Sequence, residues 1–409
     1  MSATYNGDFS IAMLGHKRIP SREGGVEVVV EELAIRMARE GYNVTCFNRA
    51  GHHVCGEEFD RKQINLNENI RLKSVFTIDI KGAATVTSSF SAALLAAIGK
   101  YDVVHFHAEG PCAMMWLPKL FGKRCIATIH GLDHKRKKWG KFASWYIKAG
   151  EKCAVKFADE IIVLSKCAKE YFDVRYGRKT VLIPNGVSIA KFAEPNRIAE
   201  LYGLRKDDYI LFLGRLVPEK GIHYLIKAFK MLRTNKKLVI AGGVSDSDEY
   251  LQELQKMANG DRNIFFTGFV HGRLLDELLS NAYIYVLPSD LEGMPISLLE
   301  AMSYGNCCVT SDISECAEVV SEYGITFAKG NIDDLASKLQ ELCDNPDKTA
   351  LYKCGVAKYV CDKFNWDDVA ARTLELYFPE KTRDKSGGFR EINNEGAARK
   401  QISVSQRGS

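Results

Sequence analysis

The chain has 409 residues, of which 46% are hydrophobic and 26% charged, a composition typical of a globular protein with two domains. Its formal net charge of +5 is small for this length, and we therefore expect no nucleic-acid partner. Twelve scattered cysteines form no Cys-x-x-Cys pair, and we expect neither a leader nor a membrane span, so the sequence indicates a protein of the reducing cytoplasm.

Short β-rich runs alternate with longer amphipathic segments along the chain. The first series comprises FSIAMLG, NVTCFN, YDVVHFH, RCIATIH and EIIVLS. After VLIPNGV and a polar stretch at 194–208, a second series follows with YILFLG, KLVIAGG, NIFFTG, AYIYVLP and NCCVTS. Because this alternation builds parallel sheets, the sequence predicts an α/β protein with two Rossmann-like domains facing a central cleft.

The predicted N-terminal domain covers residues 1–195 and the C-terminal domain residues 196–364. Residues 365–380 are predicted to form a helix that crosses back to the N-terminal domain. The polar, aperiodic stretch 381–409 is predicted to be a disordered tail. Ligands of doubly wound sheets bind beyond the carboxyl ends of the strands, so we expect the functional residues in the loops that follow the strands.

The loop after the first predicted strand, GHKRIPSREGG, ends with Gly24 and Gly25 at the start of a helix. A backbone without side chains, next to helix N–H groups, suits the close approach of a phosphate or a sugar. An ordinary flexible turn is the alternative. The loop matches neither G-x-G-x-x-G nor a Walker motif, which argues against a dinucleotide or a kinase-like ATP site.

Two cations and two carboxylates follow strands of the second series. Arg215 and Lys220 flank a helix start in LFLGRLVPEKG, where they could neutralise a departing diphosphate. Glu292 opens EGMPISLLEAMSYG on a loop, where it could bind sugar hydroxyls. Glu300 lies eight residues later in a helix, where a carboxylate can accept from both hydroxyls of a ribose. The alternative for all four is a solvated surface.

His105 and His107 form a His-x-His at the end of a predicted strand and face the same side. A zinc site needs three or four ligands, and no third ligand lies nearby in the sequence. We therefore expect no metal and assign His107 to the acceptor side of the cleft.

The segment 134–152, HKRKKWGKFASWYIKAGEK, combines seven basic residues with four aromatic ones. Such a segment can lie on an anionic membrane surface. Alternatively, its aromatic side chains pack inward under a cover of lysines.

The ordered motifs GGVE, TIHG, IPNGV, GRLVPEKG, AGG, FTGFV and EGMPISLLEAMSYG resemble those of the large retaining family 4 of GT-B glycosyltransferases, over about residues 9–378. The block HGLDHKRKKWGKF resembles rhamnosyltransferase-type members that build bacterial surface polysaccharides. The common spelling E-G-F-G-x-P is replaced by Glu292-Gly293-Met294-Pro295, while the spacing to Glu300 is kept.

The resemblance implies a retaining, metal-independent hexosyltransferase without a cofactor. Its donor would be a nucleoside-diphosphate sugar held by the C-terminal domain, and its acceptor a glycan or lipid-linked glycan at the N-terminal domain. We expect the protein in the cytoplasm, with a candidate peripheral contact to the inner face of the membrane. Two alternatives remain: a non-catalytic nucleotide-sugar-binding subunit of a transferase complex, and a GT-B nucleotide-sugar epimerase.

The resemblance also assigns roles to individual residues. His130, at the end of CIATIH, would face the transferred sugar, and Phe269 and Val270 would line the base pocket through their backbone. The implied catalytic set is His130, Arg215, Lys220 and Glu292. The implied donor-binding set is Gly24, Gly25, Arg215, Lys220, Phe269, Val270, Glu292 and Glu300.

Overall fold

The computed structural model describes residues 9–22, 24–51, 67–78, 80, 82–132, 140–244 and 248–378. The described residues up to Tyr377 belong to one compact unit. This unit contains two parallel β-sheets with helices between the strands, which confirms the prediction of two Rossmann-like domains. Within the described ranges, no helix is both long and apolar enough to cross a membrane.

The N-terminal sheet has seven parallel strands in the order β3-β2-β1-β4-β5-β6-β7. The strands are β1 (Ser10–Leu14), β2 (Asn43–Arg49), β3 (Ile70–Val75), β4 (Val103–His107), β5 (Arg124–Ile129), β6 (Glu160–Val163) and β7 (Val181–Leu182). The helices of this half are α1 (Gly25–Arg39), α2 (Ala83–Ile98), α3 (Trp116–Leu120), α4 (Lys141–Phe157) and α5 (Lys166–Tyr176), with a 3₁₀ turn at Pro111–Met114.

The C-terminal sheet has six parallel strands in the order β10-β9-β8-β11-β12-β13. They are β8 (Tyr209–Leu213), β9 (Lys237–Ala241), β10 (Ile264–Gly268), β11 (Ile284–Leu287), β12 (Cys307–Ser311) and β13 (Gly324–Phe327). The helices are α6 (Asn196–Tyr202), α7 (Ile222–Met231), α8 (Glu249–Ala258), α9 (Arg273–Ser280), α10 (Ile296–Ser303), α11 (Ser314–Val320), α12 (Ile332–Asp344), α13 (Pro346–Lys353), α14 (Val356–Lys363) and α15 (Trp366–Glu375). Two 3₁₀ turns lie at Pro218–Lys220 and Ser321–Tyr323.

Each half encloses its own hydrophobic core. Central strands such as β4 and β11 are buried along their whole length, as expected for parallel strands covered by helices on both faces. Helix α7 shows the complementary pattern, because its buried side chains recur at helical spacing. These are Ile222, Leu225, Ile226, Ala228 and Phe229.

The strand order reverses in the middle of each sheet, between β1 and β4 and again between β8 and β11. At such a point the loops leave the sheet toward opposite faces and open a crevice beyond the strand ends. The loops after these four strands are therefore where the fold can hold a ligand.

The last described helix, α15, returns to the N-terminal sheet. Asp367 Oδ1 lies 2.6 Å from Arg36 Nε on α1, and the hydroxyl of Tyr377 lies 2.7 Å from Nδ1 of His105 on β4. The predicted helix over 365–380 thus appears as Trp366–Glu375. The boundary predicted after residue 195 falls between β7 and α6. The predicted tail at 381–409 lies outside the described residues.

Candidate active site

One cleft of about 230 Å³ lies where the strand-end loops of the two halves meet. Nine of the ten residues predicted from the sequence line it. They are Gly24, Gly25, His130, Arg215, Lys220, Phe269, Val270, Glu292 and Glu300. The tenth residue, His107, is fully buried and does not line the cleft, although its ring contacts that of His130. The individual roles of these residues remain predictions.

Lys220 and Glu292 form an ion pair inside the cleft. Lys220 Nζ, from the 3₁₀ turn after β8, lies 2.6 Å from Glu292 Oε1, from the loop after β11. The Ser289 hydroxyl donates to the same oxygen at 2.6 Å. The side chains of Lys220 and Glu292 are only 13% and 9% exposed, so water screens the attraction between their charges weakly. Two separate strand-end loops thus hold an oriented ammonium and carboxylate.

Glu300, on α10, faces the N-terminal half of the cleft. Its Oε1 lies 3.6 Å from the guanidinium of Arg22, in the loop after β1. Burial raises the pKa of Glu300, and the nearby positive charge of Arg22 opposes that shift. The pair thus places a carboxylate beside a guanidinium at the edge of the cleft.

Arg22, Lys17 and Asn185 also line the cleft and were missed by the sequence reasoning. The cations of the loop GHKRIPSREGG follow a strand in the same way as Arg215 and Lys220. Asn185 belongs to the motif IPNGV. Position after a parallel strand was the signal that could have found Lys17 and Arg22.

The backbones of the two halves are in close contact at Gly293 and His130. A Cβ added to Gly293 would lie 1.7 Å from the carbonyl oxygen of His130, so any larger residue there collides with the backbone. Next to it, Met294 Sδ lies 2.9 Å from the backbone N–H of Asn185, and the Met294 carbonyl accepts from Asn185 Nδ2 at 3.2 Å. The loop that departs from the common family spelling is therefore anchored to the other half of the molecule.

Behind His130 lies a chain of buried polar groups. His130 Nε2 is 3.1 Å from His107 Nδ1, and the ring of His107 lies against that of His105 with centroids 4.2 Å apart. His105 in turn contacts the hydroxyls of Thr128 and Tyr377, each at 2.7 Å. Burial lowers the pKa of His105 to about 3 and that of His107 well below its ordinary value, so both imidazoles are neutral at physiological pH.

The neutral state of His107 limits the hydrogen bond it can make. Among the described residues, its buried Nε2 has no hydrogen-bond partner. A hydrogen on Nε2 would be an orphaned buried donor, so the favoured tautomer carries it on Nδ1 and donates to His130 Nε2. A neutral His130 then carries its own hydrogen on Nδ1.

The His-x-His pair, His105 and His107, does not line the cleft. Within the described ranges, no group of three or more His, Cys, Asp or Glu side chains is arranged to hold a metal ion.

Of the basic segment 134–152, residues 134–139 lie outside the described part. Phe142 and Trp145 point into solvent, whereas Tyr146 is half-buried, so the aromatic side chains do not all pack inward.

Comparison with known proteins gives two matching families in succession. Residues 23–191 match the model of Glycosyltransferase Family 4, and residues 196–354 match that of Glycosyl transferases group 1. An uncharacterized glycosyltransferase of Methanocaldococcus jannaschii is 29% identical over 304 residues, which cover 68% of this chain and 76% of that protein.

Two further likenesses extend over most of the chain. The GDP-mannose-dependent α-(1-6)-phosphatidylinositol monomannoside mannosyltransferase of Mycolicibacterium smegmatis is 26% identical over 386 residues, which cover 87% of this chain and 95% of that protein. The structure of sucrose-phosphate synthase from Thermosynechococcus elongatus superposes with a TM-score of 0.77 at 22% identity, covering 93% of this chain and 100% of the other. That superposition shows a shared fold.

Proposed function

Because this chain is a GT-B glycosyltransferase of the family 4 type, we propose that it transfers a hexose or deoxyhexose from a nucleoside-diphosphate sugar to a glycan or lipid-linked glycan, with retention of anomeric configuration. One observation carries the proposal. A single cleft brings together the cations Arg215 and Lys220, the carboxylates Glu292 and Glu300, and the histidine His130, from both halves of the chain.

The diphosphate of the donor lies, in this proposal, against Arg215 and Lys220. Both follow β8 and line the cleft, and Lys220 is held in place by its ion pair with Glu292. As the bond from the sugar to the diphosphate breaks, negative charge builds on the phosphate oxygens. Fixed cations in a partly buried site stabilise that charge without reorganising. Since these side chains supply the positive charge, we propose that transfer needs no metal ion and no cofactor.

The ribose of the donor lies against Glu300. An ionised carboxylate can accept from both ribose hydroxyls, and Glu300 faces the cleft from α10. Its contact with Arg22, at 3.6 Å, is longer than a hydrogen bond and easily exchanged for ribose hydroxyls. Gly24 and Gly25 let the donor approach the start of α1, and Phe269 and Val270 line the part of the cleft proposed for the base.

Retention is proposed to follow from attack on the same face that the diphosphate leaves. The acceptor oxygen bonds to the anomeric carbon, the bond from that carbon to the β-phosphate oxygen breaks, and the acceptor proton passes to the departing phosphate. Glu292 is a less suitable nucleophile, because its Oε1 already accepts from Lys220 and Ser289. His130 lies in the cleft at a position suited to contact the transferred sugar.

The acceptor and the location of the enzyme are proposed from likeness. The mannosyltransferase of Mycolicibacterium smegmatis is named for a GDP-mannose donor and a phosphatidylinositol-linked acceptor, which supports a nucleotide sugar and a lipid-linked glycan here. The resemblance of residues 130–142 to rhamnosyltransferase-type proteins supports a role in surface-polysaccharide synthesis. We propose that the enzyme works in the cytoplasm, on the inner face of the membrane.

A panel of nucleotide sugars tests this proposal without knowledge of the acceptor. A true donor should raise the melting temperature, because a ligand that binds only the folded state stabilises it. The stabilising donor is then incubated with candidate acceptors, and we expect release of nucleoside diphosphate and an NMR spectrum that shows the donor's anomeric configuration in the product.

Three results would overturn parts of the proposal. Inverted configuration in the product contradicts same-face attack. Stabilisation by a nucleotide sugar without turnover on any acceptor identifies a non-catalytic subunit. Conversion of the free donor into its epimer, with no acceptor present, identifies an epimerase.

A further inference from the structure

The N-terminal half carries an unusual concentration of exposed apolar side chains. Of the nineteen large hydrophobic side chains exposed in the described ranges, thirteen lie between Leu72 and Trp145. We define the apolar face as the outward residues of α2, of α3 with the residue that follows it, and of the first turns of α4. They are Phe90, Leu94, Leu95, Ile98, Trp116, Leu120, Phe121, Phe142 and Trp145. Exposure reaches 74% at Leu120 and 69% at Phe142.

The elements that carry these residues are neighbours in the fold. Helix α2 packs against α3, and both α2 and α4 pack against the 3₁₀ turn at Pro111–Met114. Gly110 lies between Tyr146 of α4 and Thr85 of α2, with both side chains within contact distance of a Cβ at that position. The rings of Phe142 and Trp145 lie together, with centroids 5.9 Å apart. Exposed apolar side chains concentrated on neighbouring elements in this way indicate an interaction site.

Helix α2 presents very little polarity to solvent. Its sequence, AATVTSSFSAALLAAI, has no charged residue. The hydroxyl of Thr87 donates to the carbonyl of Ala83 at 2.8 Å, and that of Ser91 donates to the carbonyl of Thr87 at 2.8 Å. Hydroxyls that bond back to their own helix offer few groups to an aqueous or polar partner. The solvent side of α2 is therefore suited to an apolar medium.

The exposed charge on the three helices of the apolar face is positive. The exposed residues of α4 run from Phe142 and Trp145 to Lys148, Lys152 and Lys156. The single acidic residue of this helix, Glu151, is 1% exposed and accepts from the hydroxyl of Tyr171 at 3.0 Å. None of the described residues of α2, α3 or α4 is an exposed carboxylate. Lysine is depleted in the cores of protein interfaces but enriched where helices lie on anionic lipid.

We propose that the apolar face docks on an anionic membrane surface, with Phe90, Leu94 and Ile98 of α2 in the headgroup boundary and the lysines of α4 on lipid phosphates. The proposal rests on the membrane-linked acceptor proposed above and deepens it. It places the contact on α2 and α3 as well as on the described part of the basic segment, residues 140–152. Lipid docking requires neither donor nor turnover, so it can fail while the proposed transfer stands.

Co-sedimentation of the full chain with vesicles tests the proposal. The chain should bind vesicles of phosphatidylcholine with one-quarter phosphatidylglycerol and bind pure phosphatidylcholine far more weakly. Changing Lys148, Lys152 and Lys156 to Gln should weaken binding about 100-fold at low salt, because each basic residue near an anionic surface contributes about fivefold. The loss should shrink at high salt, where exposed charges are screened.

Apolar variants separate docking from charge attraction alone. The change of Phe90, Leu94 and Ile98 to Ser should weaken vesicle binding about tenfold or more. Because that variant alters one helix at three places, Leu120→Ser with Phe121→Ser at the C-terminal end of α3 provides a second, independent test. The control, Val174→Ser with Leu351→Ser, removes equally exposed apolar side chains elsewhere, 81% and 71% exposed, and should bind vesicles as the wild type does.

Two outcomes would overturn the proposal. Equal sedimentation of all variants at both salt concentrations contradicts docking through this face. A wild-type dimer in analytical ultracentrifugation that becomes monomeric in the α2 and α3 variants, without vesicle binding by either form, shows that a second copy of the chain covers the face instead. Affinity for the nucleoside diphosphate should be the same in every variant, which confirms that the cleft is intact.

Discussion

At the scale of single residues, the imidazole of His130 depends on a neighbour that a ligand in the cleft would not touch. His107 is 0% exposed and its Nδ1 lies 3.1 Å from His130 Nε2. Because burial keeps His107 neutral, the pair can set which nitrogen of His130 carries hydrogen and how its ring is oriented. His107 does not line the cleft as the sequence predicted, and its place behind His130 favours a role in positioning that residue.

His107→Leu should lower kcat about tenfold while leaving the KM for the donor unchanged, because the loss of one orienting hydrogen bond of ordinary strength has about this cost. His107→Asn places an amide N–H near the former Nδ1 and should restore most of the activity. Steady-state kinetics of both variants, with melting temperatures measured alongside, checks this prediction. Equal kcat for the wild type and the Leu variant would show that His107 is a packing residue only.

Residue type and position after a strand sufficed to predict the four charged side chains that the C-terminal half brings to the cleft. Arg215, Lys220, Glu292 and Glu300 were predicted because charged groups follow β-rich runs, and all four line the cleft. The burial of His107 could not be predicted in this way. It depends on packing against His105, whose ring is held by Tyr377 from the far end of the described chain.

At the scale of elements, the loop after β11 joins the halves through a contact that only glycine permits. Gly293 stands where a Cβ would lie 1.7 Å from the carbonyl oxygen of His130 and 2.9 Å from Cα of Gly131. The same loop carries Glu292 into the cleft and Met294 against Asn185. The position of the Glu292 carboxylate therefore depends on how closely two loops can pass.

Gly293→Ala should displace this loop and separate Lys220 from Glu292, so we expect turnover to fall about 100-fold, as for loss of a correctly placed charged group. Kinetics with the donor found in the nucleotide-sugar panel measures the effect. Gly305→Ala is the matched control, because a Cβ there has no atom within 4 Å, although its φ of +75° adds local strain. Activity of the Gly293 variant equal to that of the control would show that the contact has no functional weight.

The alternation of β-rich and amphipathic segments predicted both sheets, because strand and helix periodicities differ and parallel strands need helical crossovers. Strand order could not be predicted in the same way. The reversal between β1 and β4 depends on which side of the sheet each crossover takes, and hydrophobic runs such as YDVVHFH do not contain that information. Nor does the sequence show that Gly186 packs against Trp366, a contact that brings α15 back to the first half.

At the scale of the whole molecule, the two halves supply different parts of the proposed function. The C-terminal half supplies Arg215, Lys220, Glu292 and Glu300, whereas the N-terminal half supplies His130, together with the apolar face outside the cleft. The return of α15 to β4 and α1 ties the end of the described chain to the half that would meet the membrane. We propose that the cleft between these halves holds the diphosphate and the ribose of a donor.

Calorimetric titration with UDP, GDP and dTDP tests this claim most directly. At least one of these nucleotides should bind the wild type, and Lys220→Ala and Glu300→Gln should each weaken that binding about 10- to 100-fold, because each change removes a hydrogen bond to a charged group. Lys227→Ala, which removes an exposed lysine on α7, should leave affinity unchanged. Equal affinity in all four proteins, or binding to none of them, would contradict the account.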